Sequence, residues 1–549
     1  MWPSSDKTPH SKGEADLVLR GGRVWTGSSL EPWAEAVAIV ADRIAAVGPE
    51  ANIRRMIGPR TCVLDCTGCL VLPGFIDNHV HLMTGGFQLR GLSLSDVGDE
   101  RELIRRVAEQ AARLSPGQWV VGGGWNHERW PEARLPRKEM IDPVTATTPV
   151  FLRRVDMHSV LVNSLALQRA AITRETPDPP GGEIVRDPAT GEPTGILKDA
   201  AVALVERLIP PPSPRDEEEA LHAALRELAR VGITSVHDIT LWEHWEVYRR
   251  CHQRGELTVR IYARTPITEW EKQRDWIARE GAGDAWLRLG GVKGFVDGSL
   301  GSATALFVEP YSDAPHTCGL LHDQMFPEGI MSERIVAADR AGLQCSIHAI
   351  GDKANALILD ILEKVVTENG CRDRRFRIEH AQHLRPEDIH RMARLGVIAS
   401  VQPAHLVDDG CWAEKRIGRL RARTTYAFRS LLEAGVRVTF GSDWTVAPLD
   451  PLFGIFAAVT RQTADGKNPE GWIPEEKITV EQAVHAYTLA NAFAEFAEAE
   501  KGSIEAGKLA DLVVLSRDIF ALPPEELRTA KVIFTIVGGK IVYSDEASA

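Results

Sequence analysis

The sequence predicts an α/β protein: a (β/α)8 TIM-type barrel, a small β-sandwich built from both chain ends, and a subdomain inserted after the first barrel strand. Three observations carry this. Between about residues 73 and 499, short apolar runs alternate with helical patterns, the signature of a parallel sheet. Both chain ends read as paired strands around turn residues. A gap of roughly 150 residues separates the first two barrel strands, far longer than an ordinary connection.

The elements follow in order. Residues 1–13 are polar, lack the apolar core of a secretory signal, and are read as a disordered tail on a cytoplasmic chain. Residues 14–72 contain ADLVLRGGRVWTG, turning at Gly21-Gly22, and AVAIVADRIAAVGP, turning at Ala41-Asp42. Residues 500–549 repeat the pattern with DLVVLSRD and VIFTIVGGKIVYSD, turning at Gly538-Gly539. Neither end can bury a sheet face alone, so the two are expected to share one sandwich. Cys62, Cys66 and Cys69 are read as packing residues, since no second pair or nearby His completes a zinc knuckle.

The expected barrel strands are GFIDNHVHL, GITSVHDI, LTVRIYART, LRLGGVKGFVD, LQCSIHAI, RFRIEHAQ, VIASVQPA and VTFGSDW. The segment SPRDEEEALHAALRELARVG is a helix with Ser213 at the N-cap, Pro214 in its first turn and Gly232 just past its end. The insert, about 85–230, leaves from the end of the first strand and should overhang the catalytic face of the barrel.

Composition narrows the function. The chain has 549 residues and a net charge of −12, which argues against a partner such as nucleic acid, whose backbone calls for clustered cations. No apolar run reaches the ~18 residues of a membrane span. A small molecule is the expected partner, with a homo-oligomeric state left open.

The chemistry starts with HVH. His79 and His81, two apart on a strand, face the same way and can hold one metal ion. His348, His380 and Asp443 end three further strands, and Lys293 lies near the end of the fourth. Residues at barrel-strand C-termini converge on one mouth. The run Gly122–Gly124 is no phosphate loop, because no Lys-Ser/Thr follows. His237 and Asp238, ending the second strand, read as a hydrogen-bonded structural pair.

The set HVHL, VKGFVDGS, SIHAIGD, RIEHAQ and FGSDW, followed by GSIEAGKLADLVVL, resembles the amidohydrolase superfamily. In the insert, GGGWNHERWP, LPRKEMID, RRVDMHSVLVNSLAL and PPGGEIVRD resemble its YtcJ-like branch, which includes N-substituted formamide deformylases. The resemblance implies that His79, His81, Lys293, His348, His380 and Asp443 bind one or two divalent metals, zinc foremost. In two-metal relatives the lysine is an N6-carboxylysine bridging the ions. The alternative for Lys293 is an ion pair with Asp297.

The implied reaction is hydrolysis of a non-peptide C–N bond, in an N-substituted amide or formamide, by metal-activated hydroxide. Asp443 would take the proton from water and pass it to the leaving nitrogen. Deamination, ester or lactone cleavage, and a non-catalytic regulatory homologue are the rivals; Lys293 leans against the first, and the full ligand set against the last. Trp125, Asp156, His158 and Gln402 are the expected substrate contacts, with His127 a further candidate in the insert.

Overall fold

The computed structural model describes residues 13–545, so the expected disordered tail lies, save Gly13, outside the described residues. Eight strands form one parallel sheet in chain order: Phe75–Val80, Ile233–Ile239, Arg260–Pro266, Leu287–Phe295, Gln344–Ala349, Arg377–His380, Ile398–Val401 and Val438–Phe440. These fall on the eight expected segments. Every residue of the first strand and of the last three is buried, as expected of strands covered on both faces.

The sheet nearly closes on itself. At the seam between the first and eighth strands, Val80 bridges to Trp444. The Asp443 amide donates to the His79 carbonyl at 2.7 Å, and the His81 amide to the Trp444 carbonyl at 2.8 Å. Asp77 accepts the backbone N–H groups of His79 and Ser442 at 3.0 Å each. Gly441 is required here, because a Cβ would sit 2.4 Å from Asn78 Oδ1 and 2.7 Å from Asp77 Oδ1.

Helices cover the outside. Pro214–Arg230 shows how the sequence writes one. Ser213 Oγ accepts from the Asp216 amide at 3.2 Å, and the Asp216 carboxylate accepts from the Ser213 amide at 3.2 Å, a reciprocal cap. Its buried stripe, Ala220, Leu221, Ala224, Leu225 and Leu228, follows the helical period onto the barrel core.

Strands from both chain ends form a second, eight-stranded sheet. Its order is Lys540–Ser544, Val532–Val537, Leu512–Leu515, Leu70–Pro73, Leu17–Trp25, Trp33–Val40 and Arg43–Gly48, with Cys62–Asp65 also against Leu17–Trp25. Two stacked sheets were expected; the hydrogen bonds instead run unbroken, because Leu70–Pro73 pairs with the C-terminal strand on one edge and the N-terminal strand on the other. Leu17, Leu19, Ile39, Leu512, Val514 and Ile536 share one apolar cluster, so the sheet curls over its own face. Cys66 packs in that cluster, and burial pushes its thiol up to about 12. Leu70, Leu72, Val513 and Leu515 point the other way, into the barrel core.

The insert carries a third sheet of six strands, ordered Gly182–Arg186, Pro193–Asp199, Ser159–Val162, Val150–Arg154, Val120–Trp125 and Leu92–Ser93. It has its own core, with Leu103, Val107, Trp125, Trp130 and Leu152 among its members.

Candidate metal centre

His79 and His81 reach the barrel mouth from one strand and face one carboxylate. Their Nε2 atoms lie 3.4 and 3.2 Å from Asp443 Oδ1. One ligand atom from each of these three residues falls within 4.8 Å of the others, and the same holds for His380, His405 and Asp443. Asp443 is therefore common to two ligand groups. His380 and Asp443 both sit at positive φ, 75° and 54°, so the chain turns sharply as it leaves strands six and eight.

The other predicted ligands join the same cavity unequally. Lys293 lines it, buried, with Nζ over the Phe295 ring at 4.7 Å and no hydrogen-bond acceptor. The expected alternative, pairing with Asp297, is not formed. That carboxylate instead accepts backbone N–H groups from Leu306, Ile350 and Gly351 at 2.8, 3.0 and 2.8 Å. His348 lies 4.5 Å from His380, centroid to centroid, but its Nε2 donates to the Gly298 carbonyl at 3.0 Å.

Burial sets the charges. It brings Lys293 down to about 7 and, with the Lys293 ammonium, His79 to about 4. Burial also holds His348 and His380 well below the ordinary imidazole value. Burial opposes ionisation of Asp443, but His79 and His81 outweigh it and hold the carboxyl well below its usual range. At neutral pH His79, His348 and His380 are thus neutral imidazoles near a carboxylate, the donor chemistry of zinc and its neighbours. Asp443 Oδ1, His405 Nε2 and Lys293 Nζ are buried with no formed hydrogen bond. Such unspent groups fit a divalent cation, since buried polar atoms otherwise find partners.

The cavity, about 410 Å³, is walled on one side by the insert, including Asn126, Arg153, Arg154, Asp156, Met157 and His158. Asp156 accepts from Ser299 Oγ at 2.5 Å and Ser302 Oγ at 2.6 Å, and pairs with Arg154 at 2.7 Å. It lines the cavity while fastening the insert to the loop after strand four. His158 donates through Nδ1 to Asp199 at 2.6 Å, and its ring stands 5.2 Å from that of His348. Burial opposes protonation of His158, but Asp199 raises it above the ordinary value.

Two expected substrate contacts are corrected. Trp125 is fully buried in the core of the insert, donates to the Leu152 carbonyl at 2.9 Å and lies outside the cavity lining. Gln402 is also outside it; its Oε1 accepts from His380 Nδ1 at 2.8 Å, so it orients that ring. His127 lies tilted against Trp125, 6.1 Å between ring centroids, with Arg154 at 3.4 Å from its Nδ1, away from the lining. His237 and Asp238 are structural but not paired with each other. His237 accepts from Arg377 at 2.8 Å, and Asp238 accepts the Leu82 amide at 2.7 Å and the Tyr248 hydroxyl at 2.9 Å.

Three residues escaped the sequence reading. His405 stands three places after Gln402 in VQPAHL, just past the seventh strand. Glu379 is an acid inside the apolar run RFRIEH, a signal that could have been followed. Asp199 ends an insert strand and gave no local signal.

Residues 62–543 match the amidohydrolase family. Protein LONG AFTER FAR-RED 3 of Arabidopsis thaliana is 41% identical, covering 98% of this chain and 93% of its own. YtcJ of Bacillus subtilis is 33% identical over 96% of this chain and 99% of its own. An N-substituted formamide deformylase of Arthrobacter pascens is 31% identical over 97% and 99%. A solved structure, an uncharacterized metal-dependent hydrolase from Pyrococcus furiosus, aligns with a TM-score of 0.71 at 28% identity, covering 92% of this chain and 99% of its own.

Proposed function

The chain belongs to the amidohydrolase family, and from that premise we propose that it is a metal-dependent hydrolase cleaving the C–N bond of an N-substituted amide or formamide. One observation carries the reading: imidazoles and a carboxylate from separate barrel strands meet in one cavity with ligand atoms left unpartnered. Its similarity to a named formamide deformylase supports the choice of bond. In this reading residues 14–72 and 500–549 form one β domain, 73–499 the catalytic barrel, and about 85–230 its roof.

His79, His81 and Asp443 would hold a first divalent cation, zinc foremost; His348, His380 and Lys293 would serve a second. The metal supplies Lewis acidity, polarising a carbonyl and making water nucleophilic at neutral pH. Asp443 receives the proton of the attacking water on its carboxylate and delivers it to the departing nitrogen, so the amine leaves neutral. Lys293, brought to about 7 by burial, presents a neutral amine to carbon dioxide. A bond from Nζ to carbon would form as one C=O π bond of carbon dioxide opens, one N–H proton would leave, and the neutral amine would become a carbamate with an anionic oxygen donor. His158, fixed by Asp199, contacts the substrate from the roof.

The test is metal analysis beside turnover on N-substituted formamides, acetamides, cyclic amides, an aminated nucleobase and an ester. Amide hydrolysis lost on chelation and restored by zinc is expected. Full activity in metal-free protein, or turnover confined to the nucleobase or ester, would overturn the proposal.

A further inference from the structure

Glu379 lies one residue before His380, fully buried and outside the cavity lining. Three donors converge on its carboxylate: His79 Nδ1 at 2.5 Å, Ser400 Oγ at 2.6 Å and the Arg264 guanidinium. Arg264 is itself held by the carbonyls of Asn78 and His237 at 3.0 and 3.1 Å and by Ser346 Oγ at 3.2 Å. Strands one, two, three, five, six and seven thus all contribute to placing this one carboxylate. We propose that Glu379 is a positioning residue for the metal centre, fixing the His79 ring so that Nε2 faces the cavity and strengthening that nitrogen as a donor.

The bond geometry decides the tautomer. With its proton on Nδ1 and directed at Glu379, His79 keeps a lone pair on Nε2, the atom 3.4 Å from Asp443 Oδ1. A carboxylate drawing on the Nδ1 proton makes the opposite nitrogen a better ligand. The neighbouring site supplies a contrast within the molecule. His380 is oriented through Nδ1 as well, but by the neutral amide oxygen of Gln402 at 2.8 Å. Only the His79 side receives a full negative charge, and the Arg264 partner offsets the cost of burying it.

The inference rests on the metal-dependent reading, and zinc affinity of the full chain, measured by chelator competition, separates the two. Glu379→Gln keeps the size and an oxygen acceptor for Nδ1 while removing the charge; Arg264→Met with Glu379→Gln also removes the cation left behind. Each is expected to bind zinc roughly 10–100-fold more weakly than wild type. Cobalt(II) in place of zinc should show a shifted visible spectrum in both, reporting a changed donor. Ser400→Ala, which removes a neighbouring hydrogen bond and leaves the carboxylate, should change zinc affinity by less than about threefold. Zinc affinity within about twofold of wild type in either folded Glu379 variant would overturn the proposal, as would an equal loss in Ser400→Ala. A wild-type protein that binds no zinc would overturn the metal-dependent reading instead.

Discussion

The barrel has a cavity at each end, of about 410 Å³ at the mouth and about 430 Å³ at the base, and charged side chains line both. At the base the charges are spent on one another. Lys501 pairs with Glu495 at 2.6 Å, and Arg260 with Asp511 at 2.7 Å. Among the described residues, no group of three potential ligands falls there. At the mouth, Lys293 Nζ, Asp443 Oδ1 and His405 Nε2 are left without hydrogen bonds inside a buried ring of imidazoles. What differs is how the charges are answered: at the base Glu495 Oε1, though it too lacks a hydrogen bond, is met by Lys501 at 2.6 Å, whereas among the described residues no ion pair answers Lys293 Nζ at the mouth, and that marks the end built for chemistry.

Mutations at each end would sharpen this contrast. Asp443→Asn should cut turnover by about 10²–10⁴-fold while keeping the fold and much of the metal, because Asn cannot accept the proton. Near-normal turnover in a kinetic assay would remove Asp443 from proton transfer. Lys293→Ala should lose at least one metal and most activity. A short added carboxylate should restore part of it, and bicarbonate should help metal-depleted wild type but not the variant. Unchanged metal content, near one per chain, would favour a single-metal centre with an ordinary ammonium at this position. Lys501→Met should leave turnover of the folded protein unchanged. It should still lower stability by about 3–5 kcal/mol in denaturant melts, since Glu495 is left buried with no cation and only His237 Nε2 beside it, at 3.4 Å. Lost turnover with intact stability would break the comparison.

The parts legible in the sequence were those written locally. Eight strands could be placed because each is a short apolar run, and five of them carry a candidate metal ligand at or just past the end that faces the mouth. What stayed hidden depended on partners far along the chain. Gln402 reads as a free amide until His380, on the neighbouring strand, is seen to claim its oxygen. Trp125 sits beside a plausible motif, yet the strand that carries it runs through the core of the insert. Asp297 and Asp443 look equivalent as residues, but three backbone amides saturate the first and none of that kind reaches the second. The pairing of Leu70–Pro73 with both chain ends could not be told from two separate sheets, because alternation fixes which face is buried and not which edge is bonded.

That shared sheet also sets how the molecule bears force. Leu72 pairs with Val513, three residues before the first barrel strand starts at Phe75, so the two ends are laced together just outside the barrel seam. Tension applied to the C-terminus meets an outer strand first. Lys540–Ser544 lies at one edge and must peel from Val532–Val537 before load passes inward through Leu512–Leu515 to the lacing. The seam that carries His79, His81 and Asp443 lies behind this joint. A tug on the C-terminal end, as from an unfolding protease, would therefore spend its work on the outer strands before it could part the seam.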